Sequence, residues 1–74
     1  MDTDNLIHMA NRIGEFFQAM PDRDEATTGV ATHLRRYWEP RMRRGLLEHV
    51  NAHEGVGLSP IVLDAVLANR EMLA

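Results

Sequence analysis

Apolar residues recur along this chain at the three- and four-residue spacing of helices, in four stretches divided by prolines and glycines. In the first stretch Leu6, Ala10, Ile13, Phe17 and Met20 share one face, which Met9 and Phe16 widen. Asp4 is placed to cap its start, and Pro21 to stop it, because the proline ring cannot follow the preceding turn and has no amide hydrogen to donate. The spacing predicts a first helix over about residues 4–20. Asp22 followed by Glu25 has the form of a capping box, and Val30, Leu34, Tyr37 and Trp38 make the next apolar face, so a second helix is predicted over 22–38. Gly29 costs about 1 kcal/mol relative to Ala inside a helix, so Thr27-Thr28-Gly29 also reads as a loop before a shorter helix.

Pro40 restricts Glu39 to extended geometry and suits a first helical position, so the chain turns at Glu39-Pro40. Met42, Leu46, Val50 and His53, with Leu47 beside them, predict a third helix over 40–53 that ends before Gly55-Val56-Gly57, where glycines take left-handed geometry. Ser59 is a good N-cap, Pro60 fits the first turn, and Leu58 is placed to staple onto Leu63. The fourth helix, over 60–72, is apolar around most of its circumference, with Ile61, Val62, Leu63, Ala65, Val66, Leu67 and Ala68 interrupted only by Asp64. Such a helix wants burial on several sides. The fold class is all-α: one domain over 1–74, a small compact cluster of three to four helices.

Size changes this picture. At 74 residues, 45% hydrophobic and 5% aromatic, the core only about matches a conformational entropy cost on the order of 110 kcal/mol. With no Cys there is no disulfide, thiolate zinc site, Cys-ligated iron–sulfur cluster or cysteine nucleophile to help. Stabilisation by a partner or by self-association is expected. The acidic start Met1-Asp2-Thr3-Asp4 does not read as a secretory signal and no apolar run approaches a membrane span, so no membrane role and a cytoplasmic location are expected.

Net charge is −3, and every basic residue is Arg. Five of the eight, Arg35, Arg36, Arg41, Arg43 and Arg44, fall within ten positions around Trp38 and Pro40, giving residues 34–44 a net +4 in an otherwise acidic chain. Three readings stand. The band is a solvated face paired locally with Glu39 and Glu48, or a nucleic-acid surface, or a protein-docking surface, for which Arg and Trp are the enriched residue types. The acidic overall balance disfavours nucleic acid. His49 and His53, at i and i+4, share a helix face at a chelating separation, but a third ligand is missing and no Glu follows the first His as in a zinc hydrolase. No metal site is assigned, with His53 expected half-buried at the helix end and His49 solvated. Catalysis has no candidate: the only serine, Ser59, is a cap, there is neither Cys nor Lys, and Asp22 and Asp24 lie in a predicted turn without a cleft. Partner contacts are therefore expected at Arg35, Arg36, Trp38, Pro40, Arg41, Met42, Arg43 and Arg44, and on the over-apolar fourth helix at Ile61, Val62 and Val66.

Four segments carry a family resemblance: Met9-Ala10-Asn11-Arg12-Ile13 with Phe16-Phe17; Gly29-Val30-Ala31 with His33-Leu34; Trp38-Glu39-Pro40-Arg41-Met42-Arg43; and Gly55-Val56-Gly57-Leu58-Ser59-Pro60. In this order the chain resembles the small delta subunit of soluble NAD-dependent, molybdenum-containing formate dehydrogenase, the Trp-x-Pro-Arg-Met-Arg run being the most distinctive part. The resemblance implies a non-catalytic accessory subunit of a cytoplasmic bacterial complex. It would bind and stabilise the large molybdenum-carrying subunit or assist its cofactor insertion. It also implies that the cofactors sit on other subunits: bis-molybdopterin guanine dinucleotide with molybdenum or tungsten, iron–sulfur clusters, FMN and NAD. The competing class is a small helical regulator that binds nucleic acid through Arg35–Arg44.

Overall fold

In the computed structural model, which describes residues 2–74, five helices and no strand are found among the described residues. Helix α1 (Thr3–Phe17) is capped by Asp2, whose carboxylate accepts from the Asp4 amide at 3.0 Å. Asp4, the expected cap, sits instead in the first turn, where its charge complements the helix dipole. The helix ends three residues earlier than the spacing predicts. Pro21 drives Met20 out of helical geometry, so the last turn is given up and a tight turn, Met20 N–H to Phe17 carbonyl at 3.0 Å, leads into the next element.

Helix α2 (Arg23–Tyr37) starts as expected on Asp22, which accepts from the amides of Asp24 and Glu25 at 2.9 and 3.2 Å. It runs unbroken through Gly29. A Cβ at that position would lie 2.6 Å from the Phe17 ring, so the glycine is where α1 and α2 close on each other. Trp38 and Glu39 are extended, as Pro40 requires, and α3 (Pro40–His53) begins on that proline. It stops in left-handed geometry, beginning at Glu54 (φ 57°) one residue ahead of Gly55 (φ 69°).

Helix α4 (Pro60–Ala68) is shorter than predicted. Asn69 breaks it: the side-chain amide donates to the Ala65 carbonyl at 2.8 Å, competing with the backbone ladder, and a short α5 (Arg70–Leu73) follows in a new direction. The break carries Leu73 into the core at 2% exposure.

The core joins Leu6 and Ala10 of α1, Val30 and Leu34 of α2, Leu46 and Val50 of α3, and Ile61, Val62, Ala65 and Val66 of α4. Helix α4 lies at its centre, against α1, α2, α3 and α5. Gly14 of α1 permits this contact, since a Cβ there would meet Val62 at 2.7 Å and Ile61 at 3.0 Å. Most of the apolar circumference of α4 is thus buried within the chain, and Leu67 and Ala68 are left exposed. The Cα radius of gyration, 10.9 Å, is that of a folded chain of this length, about 11 Å.

Candidate interaction surfaces

The distinctive run from Trp38 to Arg43 folds into a corner. Trp38 is buried at the end of α2, Pro40 opens α3, and one turn later the Arg43 guanidinium points back toward α2. Its Nη1 donates to the Trp38 carbonyl at 2.7 Å and to the Arg35 carbonyl at 3.1 Å. A helix leaves its last carbonyls without intrahelical partners and carries partial negative charge at that end, so a buried cation is well matched to the site. Arg43 is only 7% exposed, and its Nε–H has no partner. The run that looked like a docking motif therefore includes two residues, Trp38 and Arg43, that hold α2 to α3 rather than face outward.

Three more of the expected contacts are corrected by burial. Ile61, Val62 and Val66 are at most 1% exposed within the chain's own core, so they offer no surface to a partner. Sequence periodicity marks a helix that needs burial on several sides but cannot say which molecule provides it. Met42 is half-buried against the same core, while Arg35, Arg36, Pro40, Arg41 and Arg44 are exposed.

These exposed arginines do not form one band. The corner at Glu39-Pro40 turns Arg41 and Arg44 toward a cleft of about 560 Å³ between the start of α1 and α3, which they share with Thr3, Glu48, His49 and His53. Arg36 lines a different groove, between α1 and α2. Among the described residues the ion pairs are Arg12–Glu15 at 3.9 Å and Arg23–Asp64 at 2.9 Å, so the local pairing of the arginines with Glu39 and Glu48 does not form. A duplex needs a continuous basic stripe, and dividing the arginines between two faces removes it.

The two helix-3 histidines exchange their expected environments. His49 is half-buried, and its Nε2 lies 2.7 Å from the Val56 carbonyl; a carbonyl only accepts, so that nitrogen carries the hydrogen. His53 is exposed, with its ring centroid 5.7 Å from that of His49. Among the described residues no three His, Asp or Glu converge on one point.

An exposed aromatic surface lies on residues that the apolar periodicity places on the helix faces turned to the core. Phe16 and Tyr37 are 75% and 66% exposed. With Phe17 and His33 they form a row of rings across α1 and α2: Phe16 is edge-on to Phe17 at 5.1 Å, Phe17 lies 6.2 Å from His33, and His33 lies 4.7 Å from Tyr37. Beside this row runs an open groove of about 610 Å³, floored at Gly29 and walled by Phe17, Met20 and Tyr37. One signal in the sequence does point here. Adjacent helical residues diverge by about 100°, so Phe16 and Phe17 cannot both face one core, nor can Tyr37 and Trp38.

Residues 5–66 match the model of the family described as NADH-dependent formate dehydrogenase delta subunit FdsD. The chain belongs to this family. Neither a curated protein nor a solved structure matches it. In this delta subunit the matched span takes in both the Trp38–Arg43 corner and the exposed aromatic row, while the C-terminal turn of helix that seats Leu73 lies beyond it. Among the described residues no helix of the delta subunit is long and apolar enough to cross a membrane.

Proposed function

We propose that this chain is a non-catalytic accessory subunit of a cytoplasmic NAD-dependent formate dehydrogenase. It binds the large molybdenum-carrying subunit and stabilises it or assists its cofactor insertion. Family membership over residues 5–66 carries this reading. It is supported by a chain whose own core is filled yet whose surface keeps an apolar aromatic face of the kind that marks interaction sites.

The donor chemistry points the same way. With no Cys anywhere in the chain, its residues do not fit an iron–sulfur cluster. On this reading the molybdenum or tungsten centre with its pterin guanine dinucleotides, the clusters, FMN and the NAD site belong to other subunits. Those subunits oxidise formate to carbon dioxide and pass electrons to NAD. The contribution of this chain is free energy of association: a partner that binds only the folded, cofactor-competent form of the large subunit raises its population by mass action.

The test is to express the formate dehydrogenase subunits with and without this chain, purify through the large subunit, and measure metal content and formate-dependent NAD reduction together. Copurification, with metal and activity both lowered by omission, is expected. No copurification and unchanged metal and activity would overturn the proposal.

A further inference from the structure

The groove between α1 and α2 has three properties that together describe its occupant. The first is shape. Its α2 side is built from the pairs Asp24/Glu25, Thr28/Gly29 and Thr32/His33, then Arg36/Tyr37, so it follows successive turns of one helix over about 20 Å. It is open along that length, which suits a rod and not an enclosed small molecule, whose surface a pocket must cover almost completely.

The second property is chemistry. The floor at Gly29 has no side chain, and Phe17, Met20 and Tyr37 supply apolar walls. This is how a groove receives the apolar face of an amphipathic helix. The third is charge. Asp24 and Glu25 stand at one end and Arg36 at the other, and none of them is held in an ion pair among the described residues.

A helix lying antiparallel to α2 matches this polarity. Helices favour basic side chains in their last turn and acidic ones in their first, and antiparallel alignment brings those turns to Asp24/Glu25 and to Arg36 respectively. A second copy of this chain fits less well. A two-fold contact sets a patch against itself, which would place groove against groove and leave the concavity unfilled.

We propose that this groove is the docking site for an amphipathic helix of another subunit of the complex, with basic residues over Asp24 and Glu25 and an acidic residue over Arg36. The proposal rests on the accessory-subunit reading above. Tyr37 and Arg36 are residue types that dominate interface energetics, and Tyr37 is largely exposed in the free chain, so its burial is gained on binding.

The experiment uses the co-expressed complex, with the photo-crosslinker p-benzoylphenylalanine placed at Thr32 in the groove or, as a control, at Glu48 in the α1–α3 cleft. The expected result is a Thr32 crosslink to a helical segment of another subunit with that charge pattern. Tyr37→Asp should weaken retention in the complex at least about tenfold, and Glu25→Arg or Arg36→Glu severalfold, with circular dichroism unchanged because all three side chains are exposed. A complex that forms but crosslinks only from Glu48, or retains all three variants at wild-type level, overturns the groove and leaves the accessory reading standing. Crosslinking from Thr32 to a second copy of this chain also overturns it. Failure of the wild-type chain to join any complex overturns both.

Discussion

Replacing Arg43 with Met separates a structural arginine from its exposed neighbours. Met keeps most of the unbranched apolar stem and removes the donors, so the carbonyls of Trp38 and Arg35 lose the guanidinium that bonds them at 2.7 and 3.1 Å. A hydrogen bond to a charged group contributes about 1.5–3 kcal/mol. The shorter bond is credited with that range and the longer with about 1 kcal/mol, at the weak end of ordinary hydrogen bonds. Against these stands a gain of about 1 kcal/mol from no longer burying the unpartnered Nε–H. The net loss is about 2 kcal/mol. A chain of this length has a total stability of roughly 4–11 kcal/mol, so the variant loses a large share of it, and its melting temperature falls by about 8–16 °C. Urea unfolding followed by circular dichroism measures the difference, with Arg41→Met and Arg44→Met as exposed controls expected within about 0.5 kcal/mol of wild type. Arg43→Lys should fall between, since an ammonium keeps the charge but not the fork geometry. If Arg43→Met unfolds at the same urea concentration as Arg41→Met, the corner is not held by this guanidinium and the argument fails.

Four other substitutions probe the packing. Asn11 clamps the loop before α4, donating from Nδ2 to the Gly57 carbonyl at 2.9 Å and accepting from the Ser59 amide at 2.8 Å, so Asn11→Ala should cost about 1–3 kcal/mol in the same unfolding assay. Ser59→Ala should be neutral within about 0.5 kcal/mol, because the hydroxyl makes no capping bond; a loss of about 1 kcal/mol would mean that the ordinary cap operates. Gly14→Ala improves helix propensity but drives a methyl into Val62 and Ile61, and a net destabilisation of about 1–3 kcal/mol is expected; a gain would show that α4 yields easily. Glu54→Gly relieves a left-handed residue and should stabilise by up to about 1 kcal/mol, and a lowered urea midpoint would contradict it.

Local chemistry was the most legible part of the fold. Asp22 as a cap, Pro40 as a helix start and the glycines after His53 act on their immediate neighbours, and each is found where the sequence places it. The ends of α1 and α4 were less legible because two competing backbone effects had to be weighed: the restriction that Pro21 places on Met20, and the side-chain bond that Asn69 makes to Ala65. Interaction surfaces were harder still. The apolar pattern of α4 is the same whether its own chain or a partner buries it, so periodicity alone cannot distinguish a contact surface from the centre of the core, where Ile61, Val62 and Val66 lie. Arg43 reads as one of five clustered charges, and only the fold reveals that it faces the open end of α2. The exposed face was concealed in the same way. Phe16 and Tyr37 extend apolar stripes whose cores are filled by Phe17 and Trp38, and their adjacency is the one local sign that they point elsewhere.

The central claim, that this chain works as a bound subunit, is tested most directly by native mass spectrometry of the complex purified through the large formate dehydrogenase subunit. The account predicts a discrete species heavier by one or more whole copies of this 8.4 kDa chain, lost together with that increment when the chain is omitted. A complex of the same mass with and without the chain, and the chain recovered only free, would contradict it.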